Sequence, residues 1–144
     1  MYLVDTNVIS AGAPSKGAAR EVLAWMDEHA AALFLSVVSI EEIEDGIAKL
    51  RREGARRRAE ALNAWLETLL HLYSQRVLIL DVDVARATGA LSDKARGLGL
   101  TPGFADLIIA ATAAHHGLTL LTRNTKDFSK LGVALHDPFM TLPR

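Results

Sequence analysis

Short apolar runs rich in leucine and β-branched residues recur along the chain: YLV at 2–4, LFLSV at 33–37, VLIL at 77–80, LTLLT at 118–122 and VALH at 133–136. Each has the length of a strand rather than a helix. Between them the apolar positions change period. Val22, Leu23, Trp25 and Met26 fall within 18–30, and Ile40, Ile43, Ile47 and Leu50 within 40–52. Ala59, Leu62, Leu66, Leu69, Leu70 and Tyr73 fall within 56–73. Spacings of three and four predict helices over these ranges, and two more over 83–98 and 104–116. Strands alternating with helices predict an α/β fold with a mostly parallel sheet covered on both faces. The sequence holds no internal repeat, low-complexity tract or Pro/Ser-rich linker, so residues 1–144 read as one domain.

The first run is interrupted. In MYLVDTNVIS, Asp5, Thr6 and Asn7 break an otherwise apolar stretch, although Asp and Asn are poor strand formers. In a parallel α/β sheet, ligands bind beyond the carboxyl ends of the strands, where strand order reverses. Asp5 directly follows the first run, which places it at that mouth. Three further acids stand comparably. Glu42 follows the second run within SVVSIEEIEDGI, where Ser39-x-x-Glu42 also matches a capping box at the start of a helix. Gly46, one turn further, weakens that helix and suggests the close approach of another backbone or a ligand. Asp106 lies in TPGFADLIIAATA, with Thr101 as N-cap and Pro102 at the first helical position. A charge that favours the helix dipole explains Asp106 equally well, but Asp106, Ile109, Ala110 and Ala113 share one apolar face, which aims it inward. Asp127 lies in LLTRNTKDF, after Thr122, Arg123 and Asn124, where an aspartate serves as readily as a turn residue.

The four together carry more than each alone. Two carboxylates about 5 Å apart repel by roughly 3 kcal/mol at an effective dielectric near 20, and a fold gains nothing by gathering several. A hard divalent cation gives a reason, because Mg²⁺ or Mn²⁺ takes oxygen ligands and organises phosphoryl chemistry.

Composition narrows the field. With 50% hydrophobic and 23% charged residues the chain has the profile of a soluble globular protein, and its net charge of −1 excludes a broadly basic nucleic-acid binder. No cysteine is present, which removes disulfides and thiolate metal sites and suits the cytoplasm. The charge-free stretch from Leu107 to Thr122 is too short and too interrupted to span a bilayer, and the N-terminal residues lack the charged n-region and longer apolar core expected of a signal peptide.

At these residues the chain resembles the PIN-domain nucleases, in particular the VapC-type toxins of bacterial and archaeal toxin–antitoxin pairs. The matching motifs are LVDTNVIS, SIEEIEDGI at 39–47, DLIIAATA at 106–113, LTLLTRNTKDF at 118–128 and LHDPF at 135–139. The resemblance implies a PIN-like three-layer fold with a five-stranded sheet and a Mg²⁺- or Mn²⁺-dependent endoribonuclease acting on RNA. It also implies inhibition by a cognate antitoxin, a homodimer, and no membrane. The family's acidic positions fall on Asp5, Glu42, Asp106 and Asp127, with Asp5 and Asp106 the implied holders of the principal metal. Thr122 and Asn124 match the supporting polar positions, as do Thr6 and Asn7 in the first loop. One family variant carries an acid where Asn124 stands. The segment from Ala11 to Pro14 departs from the charged stretch common in the family.

Other features are weaker. KLRREGARRR places Arg51, Arg52, Arg56, Arg57 and Arg58 where two helices meet, either as a solvated corner or as a contact for RNA phosphates. Asp81 and Asp83 read as caps of the next helix, and His115 and His116 as complements to a helix C-terminus. Two alternatives remain. A signalling receiver domain also carries acids at strand ends, but it requires a second acid beside Asp5, where Thr6 and Asn7 stand. A PIN fold kept as a non-catalytic RNA-binding or scaffold module would be expected to have lost acids.

Overall fold

The computed structural model describes residues 1–14 and 19–144. Five strands form one sheet: β1 (Tyr2–Val4), β2 (Leu33–Ser36), β3 (Val77–Leu78), β4 (Thr119–Leu121) and β5 (Leu135–His136). Their order is β3-β2-β1-β4-β5, and every pairing is parallel. The chain builds outward from β1 through β2 to β3, then returns to pair β4 on the opposite side of β1. Strand order therefore reverses between β1 and β4, which is where ligands bind in such sheets.

Alternation along the central strands divides the core. Leu3 and Leu120 point to one face, against Ile109, Ala110 and Ala113 of α6 (Phe104–His115) and Phe128 of α7 (Thr125–Ser129). Val4 and Leu121 point to the other, against Trp25 of α2 (Arg20–Glu28), Ile43 and Ile47 of α3 (Val37–Arg52) and Leu66 of α4 (Arg56–Leu72). The α5 helix (Val82–Gly97) packs on α6 and brings Ala95 into the first of these clusters. The expected three layers are thus present. None of the described helices is long and apolar enough to cross a membrane.

Several local expectations need correction. The α3 helix starts at Val37, not at residue 40, because Ser36 caps it by accepting from the Val38 N–H at 3.1 Å. Ser39 is therefore a buried residue inside the helix, and the Ser39–Glu42 capping box does not form. Gly46 has open space where a side chain would project, so no neighbouring backbone approaches it. Gly103, rather than Thr101, occupies the N-cap of α6, which begins at Phe104. The run VLIL pairs only at Val77–Leu78, leaving Ile79 and Leu80 exposed beyond the sheet edge. Two short helices have too few residues for any period: α1 (Thr6–Ile9) and α7. The helix expected over 18–30 spans Arg20–Glu28, and its expected first residue, Ala18, lies outside the described residues. Asp81 caps α5 as expected, accepting from the Val84 N–H at 2.8 Å.

Candidate active site

The D-T-N interruption has a structural cause. Asp5 still pairs with β4 through its backbone, donating its N–H to Leu121 O at 2.9 Å. Its side chain then turns the chain by capping α1, accepting from the Thr6 N–H at 2.8 Å. The other carboxylate oxygen, Oδ2, accepts from Thr122 Oγ1 at 2.7 Å and Asn7 Nδ2 at 3.1 Å. Asp5 is 5% exposed and Thr122 fully buried, so these bonds form in a largely dry setting.

Asn7 ties the loop after β1 to the loop after β4. Its amide oxygen accepts from the Arg123 N–H at 3.2 Å, and its Nδ2 also reaches Thr122 Oγ1 at 3.3 Å. Thr122 Oγ1 in turn accepts from the Asn124 N–H at 2.9 Å. Asn124 supports the site through its backbone in this arrangement. Thr6 ties the same loop to α3, with Oγ1 lying 2.8 Å from both Glu42 Oε1 and Ser39 Oγ. One hydroxyl proton cannot serve both, so Thr6 donates to the carboxylate and the Ser39 hydroxyl bonds back to it. Glu42 is thereby held toward Asp5 rather than toward its own helix end.

Asp106 stands half-buried in the first turn of α6, with no side-chain hydrogen bond to the described residues. It lines a cleft of about 360 Å³ together with Thr101, Gly103, Lys126, Asp127 and Lys130. Asp127 projects from the first turn of α7.

Electrostatics joins the four acids. Burial pushes the Asp5 carboxyl above its ordinary range, and bonds from Thr122 and Thr6 pull it partly back. The charges of Asp106 and then Glu42 push it up again. Burial also raises Asp106, and repulsion from Asp127 adds to it. The acids form a chain of pairwise repulsions running from Glu42 through Asp5 and Asp106 to Asp127. Among the described residues, no three His, Cys, Asp or Glu side chains lie close enough to make a ready-formed metal cage.

The PIN domain family model matches residues 2–134. The chain belongs to the PIN domain family. This PIN domain is 34% identical over 142 residues to the toxin FitB of Neisseria gonorrhoeae, covering 96% of this chain and 99% of that protein. It is also 34% identical over 140 residues to the VapC ribonuclease Y4jK of Sinorhizobium fredii, covering 96% and 98% respectively. The crystal structure of FitAcB from N. gonorrhoeae matches it with a TM-score of 0.83 at 34% identity, over 96% of this chain and 99% of that one.

Some features of this PIN domain's site were not expected from sequence. Ser39 was placed at a helix end but lies within α3, bonded to Thr6. Lys126 and Lys130 line the cleft beside Asp106 and Asp127, standing one residue before and three residues after Asp127 in the sequence. The five arginines of the basic corner are exposed at the end of α3 and the start of α4. Arg52 lies ten residues from Glu42, about 15 Å along the α3 axis at 1.5 Å per residue.

Proposed function

We propose that this PIN domain is a divalent-metal-dependent endoribonuclease and the toxin of a toxin–antitoxin pair. The observation that carries this reading is the repulsive chain of acids centred on buried Asp5, at the point where strand order reverses. The relatives named as a toxin and as a VapC ribonuclease support it across nearly the whole chain.

The donor chemistry fits a hard cation. The site offers carboxylate oxygens, the chain has no cysteine, and such donors suit Mg²⁺ or Mn²⁺. Asp5 Oδ1 accepts a single bond and keeps a lone pair free, whereas Oδ2 already accepts two, and Asp106 has no competing donor. Asp5 and Asp106 would hold the ion, with Glu42 and Asp127 adding charge directly or through water. When bound, the ion supplies positive charge that eases deprotonation of water and offsets the charge developing on a phosphodiester.

The chain's own residues do the positioning. Thr122, Asn7 and the Thr6 N–H fix the Asp5 carboxylate. Thr6 fixes Glu42. Lys126 and Lys130 place positive charge along the cleft that Asp106 and Asp127 line, which favours a polyanionic strand there. Arg56, Arg57 and Arg58 occupy the first turn of α4, where positive charge opposes the helix dipole. A second RNA contact gives that arrangement a purpose. On this reading the protein acts on RNA in the cytoplasm, and a cognate antitoxin would restrain it by presenting a basic side chain to the acids. Ile79, Leu80, Val82 and Phe104, all exposed, support a homodimer.

Purified protein is expected to cut single-stranded RNA with Mn²⁺ or Mg²⁺ present and to stop with EDTA. Asp5→Asn and Asp106→Asn should each slow cleavage by orders of magnitude. Undiminished cleavage in EDTA, or by both variants, overturns the metal-dependent reading.

A further inference from the structure

A cation stands at the rim of this site without a carboxylate partner. Arg123 directly follows Thr122, and its backbone N–H is held by Asn7 Oδ1, the same residue that donates to Asp5. Its side chain lies over Phe139, with the guanidinium carbon 3.5 Å from the ring centroid. No ion pair and no guanidinium hydrogen bond engages it among the described residues. One face of the planar group is stacked, and its N–H edges remain unused.

Phe139 is itself fixed from two sides. Its ring packs partly buried against the core cluster that holds Val4 and Leu121. Its backbone N–H donates to Asp137 Oδ1 at 2.9 Å, closing a turn that Met140 N–H also supports by donating to Asp137 O at 3.2 Å. The ring is therefore a fixed platform, and it removes most of the rotational freedom that an exposed arginine would lose on gripping an anion. A guanidinium held by its face presents its donors edge-on, the geometry that matches two oxygens of a phosphate.

We propose that Arg123, held on Phe139, binds a backbone phosphate of the RNA strand next to the one that the acidic cluster addresses. This rests on the ribonuclease reading above. Arg123 is the binding residue and Phe139 its positioning residue. The guanidinium is engaged by the ring and by no carboxylate among the described residues, so its charge stays available to the strand.

The test uses the full chain and a fluorescein-labelled, single-stranded RNA of mixed sequence. Affinity is read by anisotropy in EDTA, and kcat/KM for cleavage in Mn²⁺, each over a series of salt concentrations. Arg123→Ala should weaken binding about tenfold and lower the log–log salt slope by about 0.7, the value for one phosphate contact on a single strand. Arg123→Lys should restore the slope but only part of the affinity, because the flat fork is lost. Phe139→Leu should lower affinity a few-fold and leave the slope unchanged, since the charge remains. Thermal melts of each variant separate these effects from loss of the fold. An Arg123→Ala protein that melts normally and matches wild type in affinity and slope overturns the proposal, as does an affinity loss without a change in slope. Were the wild-type chain neither to bind nor to cut RNA, the ribonuclease reading itself would fail, and the Arg123 assignment with it.

Discussion

Thr122→Val removes one hydroxyl and almost no volume, yet that hydroxyl holds three partners. It donates to Asp5 Oδ2 at 2.7 Å and accepts from the Asn124 N–H at 2.9 Å and from Asn7 Nδ2 at 3.3 Å. The side chain is fully buried, so water cannot replace it. A hydrogen bond to a charged group contributes about 1.5–3 kcal/mol and a neutral one about 1 kcal/mol. The long Asn7 contact is the weakest of the three. The expected loss is therefore about 2–4 kcal/mol, a fall in Tm of roughly 5–15 °C for a chain of this length. The loss also depends on pH, with a sign fixed by Asp5. Burial already raises the Asp5 carboxyl, and the Thr122 bond opposes that rise. Without the bond the carboxyl moves further up, so the native variant takes up its proton at a higher pH than the native wild type does. A carboxyl raised on folding makes the native state less stable as pH climbs through its unfolded and then its folded pKa. The difference between the two proteins should be largest at neutral pH and should shrink as acid protonates Asp5. Urea melts of both proteins in EDTA, at neutral pH and in mild acid, measure this. A gap below about 0.5 kcal/mol at neutral pH, or one of equal size at both pH values, refutes the idea that Thr122 stabilises an ionised Asp5.

Metal should relieve the repulsion among the acids. Mn²⁺ at a hundredfold excess over its Kd is expected to add about 2.7 kcal/mol, raising Tm by roughly 5–10 °C. Asp106→Asn should abolish most of that response, and a shift under a degree in wild type would mean that the acids do not share an ion. Ser36→Ala should cost about 1 kcal/mol by uncapping α3, measured by urea melts; an unaffected variant would return the cap to another residue. Changing three of Arg51, Arg52, Arg56, Arg57 and Arg58 to Ala should lower the salt slope of RNA binding by about 2, and an unchanged slope makes the corner a solvated surface. Val82→Asp with Phe104→Ser, positions 74% and 70% exposed in this chain, should convert a dimer to monomer in sedimentation equilibrium with little change in Tm. A dimer that survives both changes lies on another face.

The long elements were legible because their periods repeat often enough to be counted. Leu66 and Ala59 mark the buried side of α4, and Ile43 and Ile47 that of α3, within a turn of where sequence placed them. The parallel sheet followed from alternation alone, and the position of Asp5 followed from the sheet. What escaped was short or displaced by competition. The α1 and α7 helices have four and five residues, less than two turns, so no periodic signal exists to read. Ser36 and Ser39 are equally good caps by type, and the choice between them fell to the end of β2, where Ser36 is the last paired residue. The capping-box alternative for Glu42 fell for the same reason: with Ser39 inside the helix, the Glu42 carboxylate instead accepts from Thr6, thirty-six positions away. Arg123 on Phe139 joins two loops that no local pattern links.

The pairing of β1 with β4 has a consequence for synthesis. Strand β1 is made first, and β2 and β3 follow on its one side, but the Leu121 carbonyl that receives the Asp5 N–H comes 116 residues later. Chains emerge N-terminus first, and long-range pairings form late. Until β4 docks, Asp5 lacks Thr122 and Asn7 lacks the Arg123 backbone. In a nascent chain, therefore, Asp5 emerges long before the side chains that fix it, and on the reading proposed above the acidic site is assembled only when β4 docks.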